Sequence, residues 1–114
     1  MKQAPFLRDL TASDLPQMRA WLQREDIRLV FGDPDEWLGE IQQELQSADW
    51  IRHFICELAQ PVGFCQYYET DKAPPGIWSE QPAGTVGIDY FIADTSMRNQ
   101  GIGTRMVELL IGII

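Results

Sequence analysis

Three segments with the residue pattern of β-strands follow one another along the chain, and this succession constrains the fold more than any other feature. They cover residues 50–58, 62–68 and 85–93. Ala59-Gln60-Pro61 separates the first two, a spacing typical of a hairpin. Strands that follow one another without a crossover helix pair antiparallel, so the sequence predicts a mostly antiparallel sheet.

Helical patterns flank these strands on both sides. Residues 6–10 predict a short edge strand, and the polar residues 11–14 followed by Pro16 are typical of a helix start. A second helix is predicted to open at Asp35, and a last helix at Gly101, where apolar residues again recur at helical spacing. The predicted order is β-α-α-β-β-β-α, an α+β fold.

Length, charge and cysteine content exclude several classes of protein. A chain of 114 residues suits a single domain over 1–114. Seventeen acidic against nine basic residues give a net charge of −8, which repels nucleic-acid phosphates and favours a cationic partner. Cys56 and Cys65, with a single histidine elsewhere, exclude a zinc cluster and a disulfide scaffold, so we expect no metal and two reduced, half-buried thiols.

The apolar segments are too short for a membrane anchor or a signal peptide. The first five residues lack the apolar core of a signal peptide, and no apolar run reaches the length of a membrane span. The sequence therefore predicts a cytoplasmic chain without a membrane partner.

The segment from Arg98 to Thr104, Arg-Asn-Gln-Gly-Ile-Gly-Thr, joins the last strand to the last helix. A helix N-terminus presents N–H groups and partial positive charge, and Gly101 and Gly103 let a phosphate approach the backbone. Arg98 adds a charged donor and Thr104 a hydroxyl. This chemistry predicts an anion site sized for a diphosphate. A flexible turn capped by glycine is the alternative, because the segment matches neither a Rossmann fingerprint nor a Walker loop.

The pattern Arg98-x-x-Gly101-x-Gly103 after an amphipathic strand resembles the pyrophosphate loop [QR]-x-x-G-x-[GA] of the GCN5-related N-acetyltransferases (GNAT). The element order agrees with this family over nearly the whole chain. Residues 87–93, Gly-Ile-Asp-Tyr-Phe-Ile-Ala, and the long loop before them resemble the aminoglycoside 6′-N-acetyltransferase branch. The resemblance implies a GNAT-like mixed, mostly antiparallel sheet flanked by helices, with acetyl-coenzyme A as co-substrate.

The resemblance also implies which residues bind the coenzyme. In the family, the strand before the loop pairs with the pantetheine arm, and the amides of the loop bind the diphosphate. Carried onto this chain, the coenzyme-binding residues are Phe91, Ile92, Ala93, Arg98, Asn99, Gln100, Gly101, Ile102, Gly103 and Thr104.

Asp89 is the candidate catalytic residue, because an aspartate of the resembling branch assists the reaction at the matching Gly-Ile-Asp position. A carboxylate beside an amine can take its proton or hold its ammonium form. Strands disfavour aspartate, which supports a function, although a solvent-facing strand residue is the alternative. We assign no role to His53, which lies in a predicted strand.

A cationic acceptor needs carboxylates and flat aromatic faces around it. The candidate acceptor-binding residues, which border the acceptor cleft in the family, are Trp78, Glu80, Asp33, Asp35 and Tyr68. For Asp33 and Asp35 a turn and helix cap is the competing interpretation.

The resemblance implies an acetyltransferase that modifies a primary amine of a small cationic acceptor, an aminoglycoside 6′-amine first of all. A siderophore precursor, a polyamine or a protein N-terminus are alternative acceptors. The family fold continues beyond its last helix here with further strands and a helix, so we expect an incomplete domain. Its exposed sheet edge and apolar last helix then favour homo-oligomers. A non-catalytic remnant that binds coenzyme A or self-associates is the alternative from another class.

Overall fold

The computed structural model describes residues 4–74, 76, 81–98 and 100–114. Its contacts divide the chain into two compact units. One unit comprises the residues up to Asp9 together with Asp49–Ile114, and the other comprises Leu10–Ala48. The single domain over 1–114 stays a prediction.

The first unit is built on a four-stranded antiparallel sheet in the order β1-β2-β3-β4. Its strands are β1 (Phe6–Asp9), β2 (Ile51–Leu58), β3 (Gln60–Glu69) and β4 (Val86–Ile92). The α+β class, the strand order and the antiparallel pairing predicted from the sequence are confirmed. The last helix, α4 (Ile102–Ile113), begins within one residue of the predicted start.

The hairpin between β2 and β3 is tighter than predicted. Leu58 pairs directly with Gln60, so Ala59 alone forms the turn, and it takes a φ of 66°. Pro61 therefore belongs to β3 rather than to the turn. The register shifts between Cys56 and Glu57, and this bulge accommodates the extra residue in β3.

Alternation of side chains along the strands gives the sheet two different faces. On one face Phe54 and Cys65 pack in a buried cluster with Met106 and Leu110 of α4. Strand β4 contributes Ile88 to this cluster, so its neighbour Asp89 lies on the opposite face. The unit therefore has a core under α4 and a separate, partly polar face.

Both cysteines belong to the core under α4, and neither is exposed to solvent. Cys56 and Cys65 are free thiols and fully buried, where the sequence predicted half-burial. Burial raises the pKa of the Cys56 thiol to about 11 and that of Cys65 to about 12. Both thiols therefore stay protonated at neutral pH.

The second unit contains three helices, one more than the sequence predicted. They are α1 (Leu15–Leu22), α2 (Glu25–Phe31) and α3 (Pro34–Ser47). The unpredicted helix is α2, which buries only Ile27, while Leu29 and Val30 are 77% and 78% exposed. The apolar residues of α2 do not all lie on one buried face. The helical spacing of apolar residues therefore does not predict this helix.

Side-chain hydrogen bonds cap the turn before α1 and the N-terminal end of α3, close to the helix starts that the sequence predicts. The Thr11 N–H donates to Asp14 Oδ2 at 2.8 Å in a capping box before α1. The Asp35 N–H donates to the Asp33 carboxylate at 2.9 Å at the start of α3. Among the described residues, no helix combines the length and apolar character that a membrane crossing requires.

Candidate functional site

The candidate site follows β4 and the turn after it. In the part of the chain that the structure describes, β4 is an edge strand whose partner is β3. The Ala93 N–H donates to the Val62 carbonyl at 2.8 Å, so the backbone of Ala93 faces β3. Since the direction alternates, the backbone groups of Ile92 and Tyr90 face the outer edge. An extended ligand can pair there as an additional strand.

This geometry narrows the predicted pantetheine contacts. Of Phe91, Ile92 and Ala93, Ile92 alone presents its backbone to the outer edge, because Phe91 and Ala93 share the alternate positions that face β3. The Ile92 carbonyl accepts a hydrogen bond from Arg98 Nε at 2.9 Å. The Arg98 side chain therefore connects the turn to the end of β4 through this hydrogen bond.

The turn leads into α4 through a glycine in the left-handed region. Gly101 is the N-cap, with φ 80° and ψ 1°, a conformation that side chains with a Cβ rarely adopt. The Arg105 N–H donates to the Gly101 carbonyl at 3.0 Å. The amides of Ile102, Gly103 and Thr104 precede this donor, so they form the open N-terminus of the helix.

Gly103 has no such conformational reason to be glycine. A Cβ added there meets Ile92 Cγ1 at 3.8 Å, an ordinary contact. Gly103 instead borders a cavity of about 470 Å³ together with Tyr90 and Thr104. Without a side chain at Gly103, a ligand in this cavity can approach the start of α4 closely, as a bound phosphate requires.

A second cavity also borders the turn and the start of α4. Its volume is about 490 Å³, and Gln100, Gly101, Ile102 and Arg105 contribute to its lining. Gln100 Nε2 donates to the Ser96 carbonyl at 2.6 Å, which stabilises the turn. The predicted loop residue Asn99 lies outside the described residues. Residues at the start of α4 thus line two cavities.

Asp89 lies within a chain of hydrogen bonds on the face opposite α4. Gln66 Nε2 donates to Asp89 Oδ2 at 2.8 Å, and Gln66 Oε1 lies 2.8 Å from His53 Nδ1. Tyr68 also lies beside Asp89, and its ring occupies the space where Gly87 lacks a Cβ. Burial, then the negative charge of Asp89, raise the pKa of the Tyr68 phenol above its usual value.

The structure brings together two predicted site residues, Asp89 and Tyr68, and adds two that the sequence analysis did not assign. Gln66 and His53 are both 4% exposed. The sequence does contain a signal for them. Each is a polar residue at a strand position where the two-residue alternation places buried side chains. His53, to which no role was assigned, is thus connected to the candidate catalytic residue through Gln66.

Two of the other predicted acceptor residues, Asp33 and Asp35, belong to the helical unit. Asp33 caps α3, and the Asp35 carboxylate accepts from Arg19 Nη1 at 2.9 Å within the helical unit. Asp33 therefore forms the helix cap of the competing interpretation, whereas the ion pair of Asp35 was not predicted. Acceptor binding by these two residues stays a prediction. Trp78 and Glu80 lie outside the described residues.

No metal centre is found at the site. Across the described ranges, no three histidine, cysteine, aspartate or glutamate side chains lie close enough to hold a metal ion.

Comparison with known proteins identifies the family. A family model described as an acetyltransferase (GNAT) domain matches residues 11–114. The chain belongs to the GNAT acetyltransferase family. The resemblance carried by Arg98, Gly101 and Gly103 is confirmed.

Aminoglycoside acetyltransferases are among the relatives of this GNAT domain. It is 28% identical over 116 residues to aminoglycoside N(6′)-acetyltransferase type 1 of Klebsiella pneumoniae and to that of Serratia marcescens. These alignments cover 95% of this chain, which spans 58% of the length of each relative.

Solved structures of aminoglycoside acetyltransferase AAC(6′)-Ib are similar to this GNAT domain. The complex with coenzyme A superposes with a TM-score of 0.82 at 26% identity, covering 96% of this chain and 66% of that protein. The complex with coenzyme A and kanamycin gives a TM-score of 0.81 at 28% identity with the same coverage. These identities and superpositions confirm the resemblance to the aminoglycoside branch.

Proposed function

We propose that this chain binds acetyl-coenzyme A and transfers the acetyl group to the primary amine of a small cationic acceptor, an aminoglycoside 6′-amine. The observation that carries this proposal is the open N-terminus of α4 beside the outer edge of β4. There Gly103 exposes backbone amides to a cavity, although an added Cβ would meet only an ordinary contact.

The coenzyme would be held by backbone groups. The amides of Ile102, Gly103 and Thr104 point out of the helix start, where the partial positive charge of the helix favours a diphosphate. The outward N–H of Ile92 offers a donor to the amide-rich pantetheine arm, while the Ile92 carbonyl already accepts from Arg98 Nε. This local attraction matters because the net charge of −8 repels a polyanion at longer range.

The proposed reaction is direct acyl transfer, and Asp89 would prepare the amine. The ammonium form loses a proton to the Asp89 carboxylate, and the neutral nitrogen attacks the thioester carbonyl carbon. The carbon–nitrogen bond forms and the carbon–sulfur bond breaks. The nitrogen gives up a second proton, and the leaving sulfur takes it to become the thiol of coenzyme A. The net reaction releases one proton, so Asp89 returns to its ionised form for the next cycle.

Charge and the named relatives support a cationic acceptor. A face bearing the Asp89 carboxylate and the Tyr68 ring suits an ammonium group, because the first offers charge and the second a π-face. Relatives at 26–28% identity include an AAC(6′)-Ib complex with kanamycin and curated aminoglycoside acetyltransferases. Another small amine, such as a polyamine or a siderophore precursor, is the alternative acceptor.

Calorimetry and a thiol-release assay together test the proposal. The chain is titrated with acetyl-coenzyme A, and thiol release is then followed with two aminoglycosides that differ only in an amine or a hydroxyl at the 6′ position. We expect saturable binding, and thiol release with the 6′-amine alone. Absence of coenzyme binding contradicts the enzyme assignment, and equal rates with the two compounds contradict the 6′ assignment. Faster turnover of polyamines or peptides would favour the alternative acceptors.

We propose self-association as a second property of the chain. Ile111, Ile113 and Ile114 at the end of α4 are 60%, 40% and 50% exposed. Exposed apolar side chains and an edge strand both favour contact with a second copy. Sedimentation velocity at rising concentration tests this, and a constant monomer mass contradicts it.

A further inference from the structure

We propose that Gln66 and His53 are positioning residues for Asp89, and that His53 carries a proton on Nδ1 whenever Asp89 is ionised. The catalytic part of this inference rests on the proposed function, because it concerns the carboxylate that prepares the amine. The position of the His53 proton does not depend on any activity, and a separate experiment tests it.

The three residues occupy matching positions on three neighbouring strands. His53 of β2 pairs with Gln66 of β3, and Gln66 pairs with Asp89 of β4. Their side chains lie on the same face and connect through two hydrogen bonds of 2.8 Å. His53 and Gln66 are buried, and the His53 ring stacks 6.3 Å from the ring of Phe64.

The charge on Asp89 determines which group donates in each of these two hydrogen bonds. An ionised carboxylate only accepts hydrogen bonds, so Gln66 must turn its NH₂ group toward Asp89. Its carbonyl oxygen then faces His53, and an oxygen of this kind also only accepts. His53 Nδ1 must therefore donate, which assigns its proton to Nδ1 in the neutral ring.

This arrangement holds the Asp89 carboxylate in one orientation, because a buried donor on the neighbouring strand binds one of its oxygens. Gln66 has three side-chain torsions, and the bond from His53 fixes its amide before any ligand arrives. On the sheet, Tyr68 of β3 is the other titratable side chain that faces Asp89 in the described part of the chain, with His53 behind Gln66.

Two variants of His53 separate positioning from packing. His53→Asn retains an N–H donor near Nδ1 but loses the ring that stacks on Phe64. His53→Phe retains a ring and loses the donor. Positioning predicts nearly normal kcat for His53→Asn, and a kcat about tenfold to a hundredfold lower for His53→Phe with unchanged KM for acetyl-coenzyme A. A packing role predicts the reverse order, and that order, or equal losses in both, overturns the proposal.

A Gln66→Met variant provides a second test. Methionine has similar volume and no donor, so the Asp89 carboxylate loses the hydrogen bond that fixes its orientation. We expect kcat to fall by about tenfold or more, while Kd for acetyl-coenzyme A stays unchanged. A kcat equal to that of the unmodified chain, or a loss of coenzyme binding as large as the loss of kcat, overturns the proposal.

Nitrogen NMR tests the donor chain without any activity. The chain contains one histidine, so the imidazole signals belong to His53. Above the pH at which the ring becomes neutral, we expect the proton on Nδ1, and loss of that preference in Gln66→Met. A proton on Nε2 in the unmodified chain overturns the proposal. A chain that shows Nδ1–H but transfers no acetyl group instead contradicts the proposed function.

Discussion

The side-chain amide of Gln66 donates a 2.8 Å hydrogen bond to the carboxylate of Asp89, and the two residues are paired across β3 and β4. Asp89 is the one acid in the sequence of β4, VGIDYFI. A strand position that disfavours aspartate is thus stabilised by a buried donor on the neighbouring strand. The following predictions start from this face and from the helix start on the other side of the sheet.

Replacing Asp89 by asparagine is expected to lower kcat by about 10²–10⁴-fold, the usual contribution of a positioned acid or base. Binding of acetyl-coenzyme A should change little, because the helix start lies on the other face of β4. Steady-state kinetics and calorimetry measure the two effects. Asp49→Asn is the matched control, since Asp49 is exposed and outside the candidate site. Equal turnover in both variants would show that Asp89 has no catalytic role.

Gly103→Ala is expected to weaken acetyl-coenzyme A binding without destabilising the fold. The added Cβ meets an ordinary contact with Ile92 but takes up space at the cavity that Gly103 lines. A lost hydrogen bond to a charged group costs roughly 1.5–3 kcal/mol, which is about tenfold or more in Kd. Titration calorimetry gives Kd, and thermal unfolding gives the stability.

Gly112→Ala is the control for that substitution. Gly112 lies in the same helix with nothing within 4 Å of an added Cβ. Both variants gain about 0.5–1 kcal/mol of helix propensity, so their Tm values should rise alike. If both leave Kd unchanged, the helix start does not bind the diphosphate.

Stability is expected to decline above about pH 9 through the two buried thiols. Burial raises the pKa of Cys56 from 9.0 to about 11 and that of Cys65 from 9.0 to about 12. Below pH 9 both states bind these protons, whereas above it the unfolded state releases them first, so the free energy of unfolding falls as pH rises toward the folded values. Urea unfolding between pH 7 and 10.5 measures this slope.

A variant with both cysteines changed to alanine isolates the thiol contribution, since tyrosine and lysine also titrate in that range. The variant should be less stable at pH 7 and should lose part of the slope. An identical slope in the two proteins would show that the thiols do not contribute. Thiol reagents should also react slowly with the folded chain, because the thiolate is the reactive form.

Ala59→Gly is expected to stabilise the chain by about 0.5–1 kcal/mol. Ala59 has a φ of 66°, a region that costs a residue with a Cβ about 1–2 kcal/mol and glycine very little. Part of this gain is offset by the greater freedom of glycine in the unfolded chain. Thermal unfolding measures the change. Ala20→Gly in α1 is the opposite control, expected to destabilise by about 1 kcal/mol.

Much of the fold could be predicted because its signals are local. The alternation of apolar residues in β4 depends only on the two-residue period of a strand, and the start of α3 on an aspartate followed by proline. Helix α2 escaped prediction because Leu29 and Val30 are exposed. Exposed apolar residues blur the helical period from which a helix is recognised.

The amino-acid sequence by itself determined the order of strands and helices, the glycine-containing start of α4 and the position of Asp89 within β4. It did so because periodicity, capping and backbone freedom are properties of neighbouring residues. Only the tertiary structure decided that Gln66 meets Asp89 and that His53 meets Gln66, since these contacts join residues 23 and 13 positions apart. Strand register creates such contacts, and register depends on how the whole sheet buries its faces. The same packing distinguished Gly101, required by its φ, from Gly103, which the protein leaves open to a cavity.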